Sequence, residues 1–350
     1  MPRRQSLLDQ EKKTFSFKEG FMLDGEAVKQ LRSVDCLEIV CLMDNCVDLT
    51  SSIEREEVQN VRVWVPKRMG KEWADRNFRL PIAEHGLSLL VKVSRNGESH
   101  TVLFDTGISP NGAVLNAEGM GINLKDIEAI VLSHGHHDHC GGLPSFVKAV
   151  GKKNLPIIVH EDMFKTRGVA NKDGSIRKYL AFPSENQIKP AVFVKTKHPS
   201  LLAGDMMLVT GEIPRQTDFE KGYVQQRVLI NGVWHPDPWV WDDRALVVNV
   251  NGKGLVVVSG CAHAGIINTV LYARQITGMS KIYAVIGGFH LSGKGFEGLI
   301  SKTVKMLKQF NPEVIVPMHC TGWRAAFAIA EAMPKAFIWN SVGNLYTFRA

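Results

Sequence analysis

Residues 134–139 read His134-Gly135-His136-His137-Asp138-His139, and four of them, His134, His136, Asp138 and His139, are potential metal ligands. Imidazole suits zinc and iron, and a carboxylate beside it suits a second, harder site. The run directly follows Ala129-Ile130-Val131-Leu132-Ser133, an apolar stretch of strand length. Within a strand, successive side chains point to opposite faces. The cluster is therefore expected on the turn after the strand, where Gly135 lets the backbone fold tightly. A His-rich surface tract would sit in polar, low-complexity sequence. This one lies between an apolar strand and Gly141-Gly142-Leu143-Pro144, and the chemistry expected is that of a metalloenzyme.

The last third of the chain must position the partners of that cluster. Apolar segments at 255–259, 281–286 and 313–317 read as strands, and 265–276, 296–310 and 322–333 as helices. Each strand ends in potential ligands: Cys261-Ala262-His263, then Gly287-Gly288-Phe289-His290, then His319-Cys320. Alternating strands and helices imply a sheet covered by helices, and sites in such folds collect where strand ends meet. Of the six cysteines, Cys140, Cys261 and Cys320 adjoin histidine motifs and are read as site residues. Cys36 and Cys41 fall in a strand and are read as core. In a cytoplasmic chain all six should be thiols.

Further upstream, 35–43 reads as the first buried strand, followed by a polar loop that carries Cys46 and Asp48. Segments 87–93 and 101–104 form a hairpin around Asn96-Gly97, and Asp105-Thr106-Gly107 closes it. A helix at 111–118 precedes the metal strand; a helix at 143–150 and a strand at 156–159 follow it. Residues 53–80, with Trp64 and Trp73, read as an excursion over the surface, and 160–200 as irregular. Segment 214–243 holds Trp234, Trp239 and Trp241 and is read as a lid, a pocket wall or a homodimer contact. Residues 1–33 are polar and mixed, an N-terminal arm ahead of a catalytic domain at 34–350.

Composition narrows the class. With 45% hydrophobic and 22% charged residues, the chain of 350 residues is globular rather than disordered. No run approaches the roughly 18 apolar residues of a membrane helix. Met1-Pro2-Arg3-Arg4 has the arginine pair of an export signal but no apolar segment after it, so a cytoplasmic location is expected. The net charge of +7 is spread along the chain. That pattern argues against a nucleic-acid surface and is compatible with a small anionic substrate.

The His-x-His-x-Asp-His cluster, the upstream Asp105-Thr106-Gly107 and the ligand-bearing strand ends together resemble the metallo-β-lactamase superfamily. The resemblance implies a four-layer αβ/βα sandwich: two mixed sheets face to face, helices outside, metals at one edge. It assigns His134 and His136 to a first metal, and Asp138, His139 and the late His319 to a second. Where the family carries a bridging Asp, this chain has Cys261, whose thiolate is a reasonable ligand. The family's remaining first-site histidine is missing from 209–215, and His263 is the candidate to replace it. Strings such as Glu84-His85-Gly86-Leu87-Ser88 and Thr210-Gly211-Glu212-Ile213-Pro214-Arg215 resemble one subgroup. That subgroup includes an archaeal enzyme joining a dihydropterin methyl diphosphate to a ribosyl-aminobenzene phosphate.

Two divalent ions are expected, most simply Zn2+, with Mn2+, Fe2+ or Mg2+ as alternatives. They would activate a water for hydrolysis of a small anionic substrate, or grip a diphosphate as a leaving group. A non-catalytic sensor is the reading from a different class. Asp138 is expected to act as ligand and to orient the nucleophile, and Asp105 to anchor a ligand imidazole from behind. His290 could donate a proton to a leaving group. His85, Cys46, Asp48, Glu212 and Arg215 are candidate substrate contacts, the arginine because its fork matches planar anions. His100, His160, His198 and His235 have no partner pattern and are read as structural or surface residues.

Overall fold

A computed structural model describes residues 18–19, 31–52 and 55–350 of the chain. Two eight-stranded sheets dominate it. One runs, in spatial order, through Lys18–Glu19, Ser200–Leu202, Met207–Val209, Ala245–Val250, Gly254–Ser259, Ile282–Gly288 and Val314–Met318, with Ser33–Val34 beside Ala245–Val250. The other runs through Val192–Lys195, Pro156–Val159, Ala129–Val131, Glu98–Phe104, Ser88–Arg95, Cys36–Met43, Leu345–Arg349 and Val58–Gln59. Both are mixed, parallel on one flank and antiparallel on the other.

Three apolar clusters separate four layers. Leu37, Ile39 and Cys41 meet Leu246, Val248, Val256 and Val258 between the sheets. Val40 and Leu42, one residue out of phase, face the helices Val61–Met69, Gly112–Gly119 and Leu143–Val150 instead. On the opposite side Val247, Val257 and Ile315 face Ile266–Thr277, Ile300–Phe310 and Trp323–Ala332. Strands covered on both faces must be apolar at every position, which is why these segments read as unbroken hydrophobic runs. The four-layer sandwich is thus the observed architecture.

The hairpin turns at Asn96 and Gly97, both with positive φ (49° and 83°), as a two-residue turn between twisted strands requires. Several expectations need correction. Segment 53–80 is not a surface excursion: it holds the helices Val61–Met69 and Lys71–Asn77, and Trp64 is buried with its indole donating to the Gly343 carbonyl at 2.7 Å. Cys140 sits in the apolar cluster under Leu143–Val150, so it is core rather than site. The irregular 160–200 and 214–243 segments contribute a third, four-stranded sheet: Ile176–Lys178, Arg167–Ala170, Gln226–Ile230 and Val233–Pro236. At the junction of arm and domain, Ser33–Val34 pairs in parallel with Asn249 and Val250. Within 1–33, residues 1–17 and 20–30 lie outside the described residues. Among the described residues no helix is long and apolar enough to cross a membrane.

Candidate metal centre

The parallel strands of both sheets end at one edge, and there the candidate ligands converge. His134–His139 follows Ala129–Val131. Cys261 and His263 follow Gly254–Ser259, His290 follows Ile282–Gly288, and His319 follows Val314–Met318. Close backbone packing at the cluster depends on glycine. A Cβ on Gly135 would lie 2.9 Å from Met163 Cα. The glycine is therefore required for close approach and not for a left-handed turn. Non-glycine residues with positive φ gather at this edge: Asp105, Ala262, His290 and His319 at 60°, 53°, 46° and 49°. Held strain of this kind is a feature of functional sites.

Three overlapping donor groups emerge, the third being Cys261, His263 and His290, which shares its first two members with the others. In the first, His134 Nε2, His136 Nδ1 and His263 Nε2 stand 3.0, 3.1 and 3.2 Å from one another. Three ring nitrogens aimed at one point make a triangle close to the face of a tetrahedral site with bonds of about 2.0–2.1 Å, whose edges are about 3.3–3.4 Å. In the second, Asp138, His139, Cys261 and His319 place one ligand atom each within 4.8 Å of the others. His139 Nε2 is 3.2 Å from Cys261 Sγ, and His319 Nε2 is 3.1 Å from Asp138 Oδ2. The chemistry of these sets, three imidazoles in one and carboxylate, thiol and two imidazoles in the other, fits a pair of divalent cations.

Four of the five imidazoles are held from behind, and His263 Nδ1 is buried without a partner among the described residues. The His139 Nδ1–H donates to Asp105 Oδ2 at 2.6 Å, and Asp105 also accepts from the Ser133 amide and hydroxyl, both at 2.7 Å. Ser133 Oγ lies 2.9 Å from His134 Nδ1. Gln226 Oε1 accepts from His136 Nε2 at 2.8 Å, and Asn45 Oδ1 from His319 Nδ1 at 3.1 Å. These partners fix which nitrogen faces the site. Burial, together with neighbouring His139 and His136, holds His134 well below the usual imidazole range. Burial and His290 do the same for His263, and burial takes His136 to about 4. All three are neutral at pH 7, as ligands must be. Burial opposes charge on Asp138, but His139 and His319 hold its carboxyl well below the ordinary value.

A cavity of about 410 Å³ opens over both sets, lined by His85, Asp138, Cys261, His263, His290 and Cys320. Tyr179 and Tyr223 form its far wall, with Arg177 and Lys178 at its mouth. His85 lies 3.6 Å from Asp138 Oδ2 and His290 packs 4.2 Å, ring to ring, on His263. The other substrate-contact candidates are placed elsewhere. Glu212 accepts from His160 Nε2 at 3.0 Å. Arg215 bonds the Ile213 and Trp239 carbonyls and lies over the Trp239 and Trp241 rings. Asp48 caps its own loop through Thr50 and Ser51, and Cys46 offers its carbonyl to Val342, so neither lines the cavity. In the same loop Asp44 and Asn45 reach His319, with Asp44 Oδ1 accepting from the His319 amide at 2.8 Å. Sequence reasoning also missed Gln226, Tyr179 and Tyr223, whose only signal was aromatic and polar content in segments without a period.

This fold and this histidine–aspartate edge define a class, and the sequence pattern of the metallo-β-lactamase superfamily matches residues 83–271. The chain belongs to that superfamily. It is 31% identical to the 7,8-dihydropterin-6-methyl-4-(β-D-ribofuranosyl)-aminobenzene-5′-phosphate synthase of Methanocaldococcus jannaschii, over 83% of this chain and 98% of that one. An uncharacterised protein of the same archaeon, MJ0448, is 32% identical over 75% of this chain and 93% of its own length. Among solved structures, a metal-dependent hydrolase of the β-lactamase superfamily superposes with a TM-score of 0.63 at 25% identity. That match covers 90% of this chain and 99% of the other.

Proposed function

We propose that this chain is a metal-dependent transferase that displaces diphosphate from an aromatic, phosphorylated donor and joins the remainder to a second small molecule, in the manner of the similar archaeal synthase. The observation that carries the reading is the cavity wall: two tyrosines and two cations face two sets of metal donors. Tyr223 lies parallel to His263, with 10° between the ring planes. A planar heterocycle fits against such a wall, and Arg177 and Lys178 draw phosphate oxygens to the mouth.

When bound, two divalent ions held by His134, His136 and His263 and by Asp138, His139, Cys261 and His319 would supply charge neutralisation for a departing diphosphate. The chain's own groups do the rest. Asp105, Gln226 and Asn45 fix the ligand rings, so that little reorganisation is needed during reaction. His290, on the cavity wall beside His263, is placed to deliver a proton to the leaving group or take one from the acceptor. Asp138 holds its ionised form without help from outside the site.

Hydrolysis is the second reading, favoured by the open side of the cavity, where the His85 side chain is 64% exposed directly over Asp138. Water reaches the donor sets there. One experiment separates the two. The zinc- or manganese-loaded protein is incubated with a dihydropterin methyl diphosphate, with and without a ribosyl-aminobenzene phosphate, and the products are weighed by mass spectrometry. A condensed product supports transfer, and a hydroxymethyl pterin in both incubations establishes hydrolysis. An untouched diphosphate sinks the proposal.

A further inference from the structure

Beside the metal cavity lies a second one, about 320 Å³, and the two share a wall formed by Lys178, Tyr179 and Leu180. Its other side is built by Phe164, Phe182 and Arg167. Phe164 and Phe182 meet edge to face with centroids 4.9 Å apart, and Phe193 closes the trio at 5.1 Å from Phe164. Tyr179 stands between the cavities, its ring edge-on to the His136 ring at 5.2 Å. Lys165, Arg167 and Lys178 outnumber one lining carboxylate, Glu185. Lys178 has no ion-pair partner among the described residues. Arg167, 5% exposed, spends Nε on Asp237 and Nη1 on Asp242 at 2.8 and 2.7 Å, and its Nη2 is left unmatched. Asp242 in turn accepts from the Gly135 amide at 2.9 Å, between the ligands His134 and His136. The floor of the second cavity is therefore tied to the metal-binding turn.

We propose that this second cavity binds the acceptor: a molecule with one aromatic ring and one phosphate or carboxylate. Its ring packs against Phe164 and Phe182, and its anion meets Lys178 and the Arg167 side. Aromatic pairs favour the edge-to-face geometry this wall offers, and a cavity of this size that combines aromatic side chains with polar ones is a typical small-ligand site. The assignment rests on the transferase reading for its chemistry. The acceptor reaches past Tyr179, and its nucleophile forms a bond to the donor methylene carbon as the carbon–oxygen bond to diphosphate breaks. Diphosphate leaves with the bonding electron pair, and the acceptor loses one proton to a base or to water.

The test uses the full chain loaded with metal and compares wild type, Phe182→Ala and Ala181→Trp, the last filling the cavity from an exposed wall position. With 4-aminophenyl phosphate as probe, calorimetry is expected to show binding in wild type and about tenfold weakening in either variant. In the coupled reaction, KM for the acceptor rises about tenfold while KM for the diphosphate donor is unchanged. Should Phe182→Ala fail to fold by circular dichroism, Ala181→Trp carries the comparison. Equal binding of inorganic phosphate and the aryl phosphate would reveal a general anion site and overturn the proposal. So would equal probe affinity in all three proteins. Probe binding that depends on the cavity, in a protein that never condenses the substrates, would keep this assignment and remove the transferase reading. Condensation indifferent to both variants would do the reverse.

Discussion

At the residue scale, the departure with most consequence is Cys261, a thiol where the superfamily carries a carboxylate. Its Sγ sits 3.2 Å from His139 Nε2, within the second donor set. Exchange for Ser keeps the size but replaces a soft donor by a weak one. Bound zinc, measured on the purified protein, is expected to fall from about two ions to about one per chain. Undiminished occupancy would exclude the thiolate as a ligand. A second residue-scale consequence concerns Glu220. Its carboxyl is pushed up to about 7 by burial, against the lowering effect of the Ile267 and Asn268 amides and the Thr217 hydroxyl. The native state therefore keeps a proton that the unfolded chain releases near pH 4.5. Stability is fully present below that pH and is lost as pH rises through about 7, by roughly 3 kcal/mol from this group. Urea unfolding at pH 5 and pH 8 measures it, and Glu220→Gln is expected to remove part of the difference, the rest coming from Asp243, whose carboxyl burial also pushes up to about 7. A wild-type protein equally stable at both values would contradict the assignment.

At the element scale, the ends of three parallel strands do the positioning. Gly287 and Gly288 close Ile282–Gly288 where it passes Gly254–Ser259 and the Cys261 turn. A Cβ on Gly288 would come within 2.4 Å of the Gly260 carbonyl oxygen and 2.8 Å of Cys320 Sγ. Gly288→Ala must then push two strand ends apart, at a cost of about 1–3 kcal/mol. Because His290 lies two residues on, the displacement reaches the cavity. Thermal unfolding and kcat are both expected to drop, and a variant with wild-type values for both would show that the strand end has slack. The third sheet acts in the same way from the other side. Gln226, at its start, orients His136, and Tyr179, just past Ile176–Lys178, walls two cavities.

At the scale of the whole molecule, the candidate metal donors come from both sheets, so ion binding would staple the two halves of the sandwich. Ligands from His134–His139 lie on one sheet's connections and those from Cys261, His263 and His319 on the other's. Anything that binds only the folded chain stabilises it, by about 3 kcal/mol at a free concentration of about 100 Kd. Chelation is therefore expected to lower the melting temperature by about 4 °C for each ion lost in calorimetry, and zinc to restore it. An unmoved melting temperature would mean that the donor sets hold no ion in solution.

The chain by itself determined the superfamily, the candidate ligand cluster and the strands that lead into it, because buried strands and a six-residue metal turn are local patterns; Ala245–Val250 and Leu345–Arg349, also buried, went unread. The alternation of Leu37, Ile39 and Cys41 against Val40 and Leu42 is written in consecutive positions, as is the His134–His139 run. His263 and His319 were legible too, since each stands at the end of an apolar strand. What only the tertiary structure decided are the groups brought in from far along the chain: Gln226 behind His136, Asn45 behind His319, and Tyr179 and Tyr223 around the cavity. Glu212 and Arg215 misled for the same reason, since their partners, His160 and the Trp239–Trp241 pair, are chosen by packing. A hydrogen bond between residues 90 or 274 positions apart leaves no periodic trace in sequence, and its geometry exists only once the sheets have met.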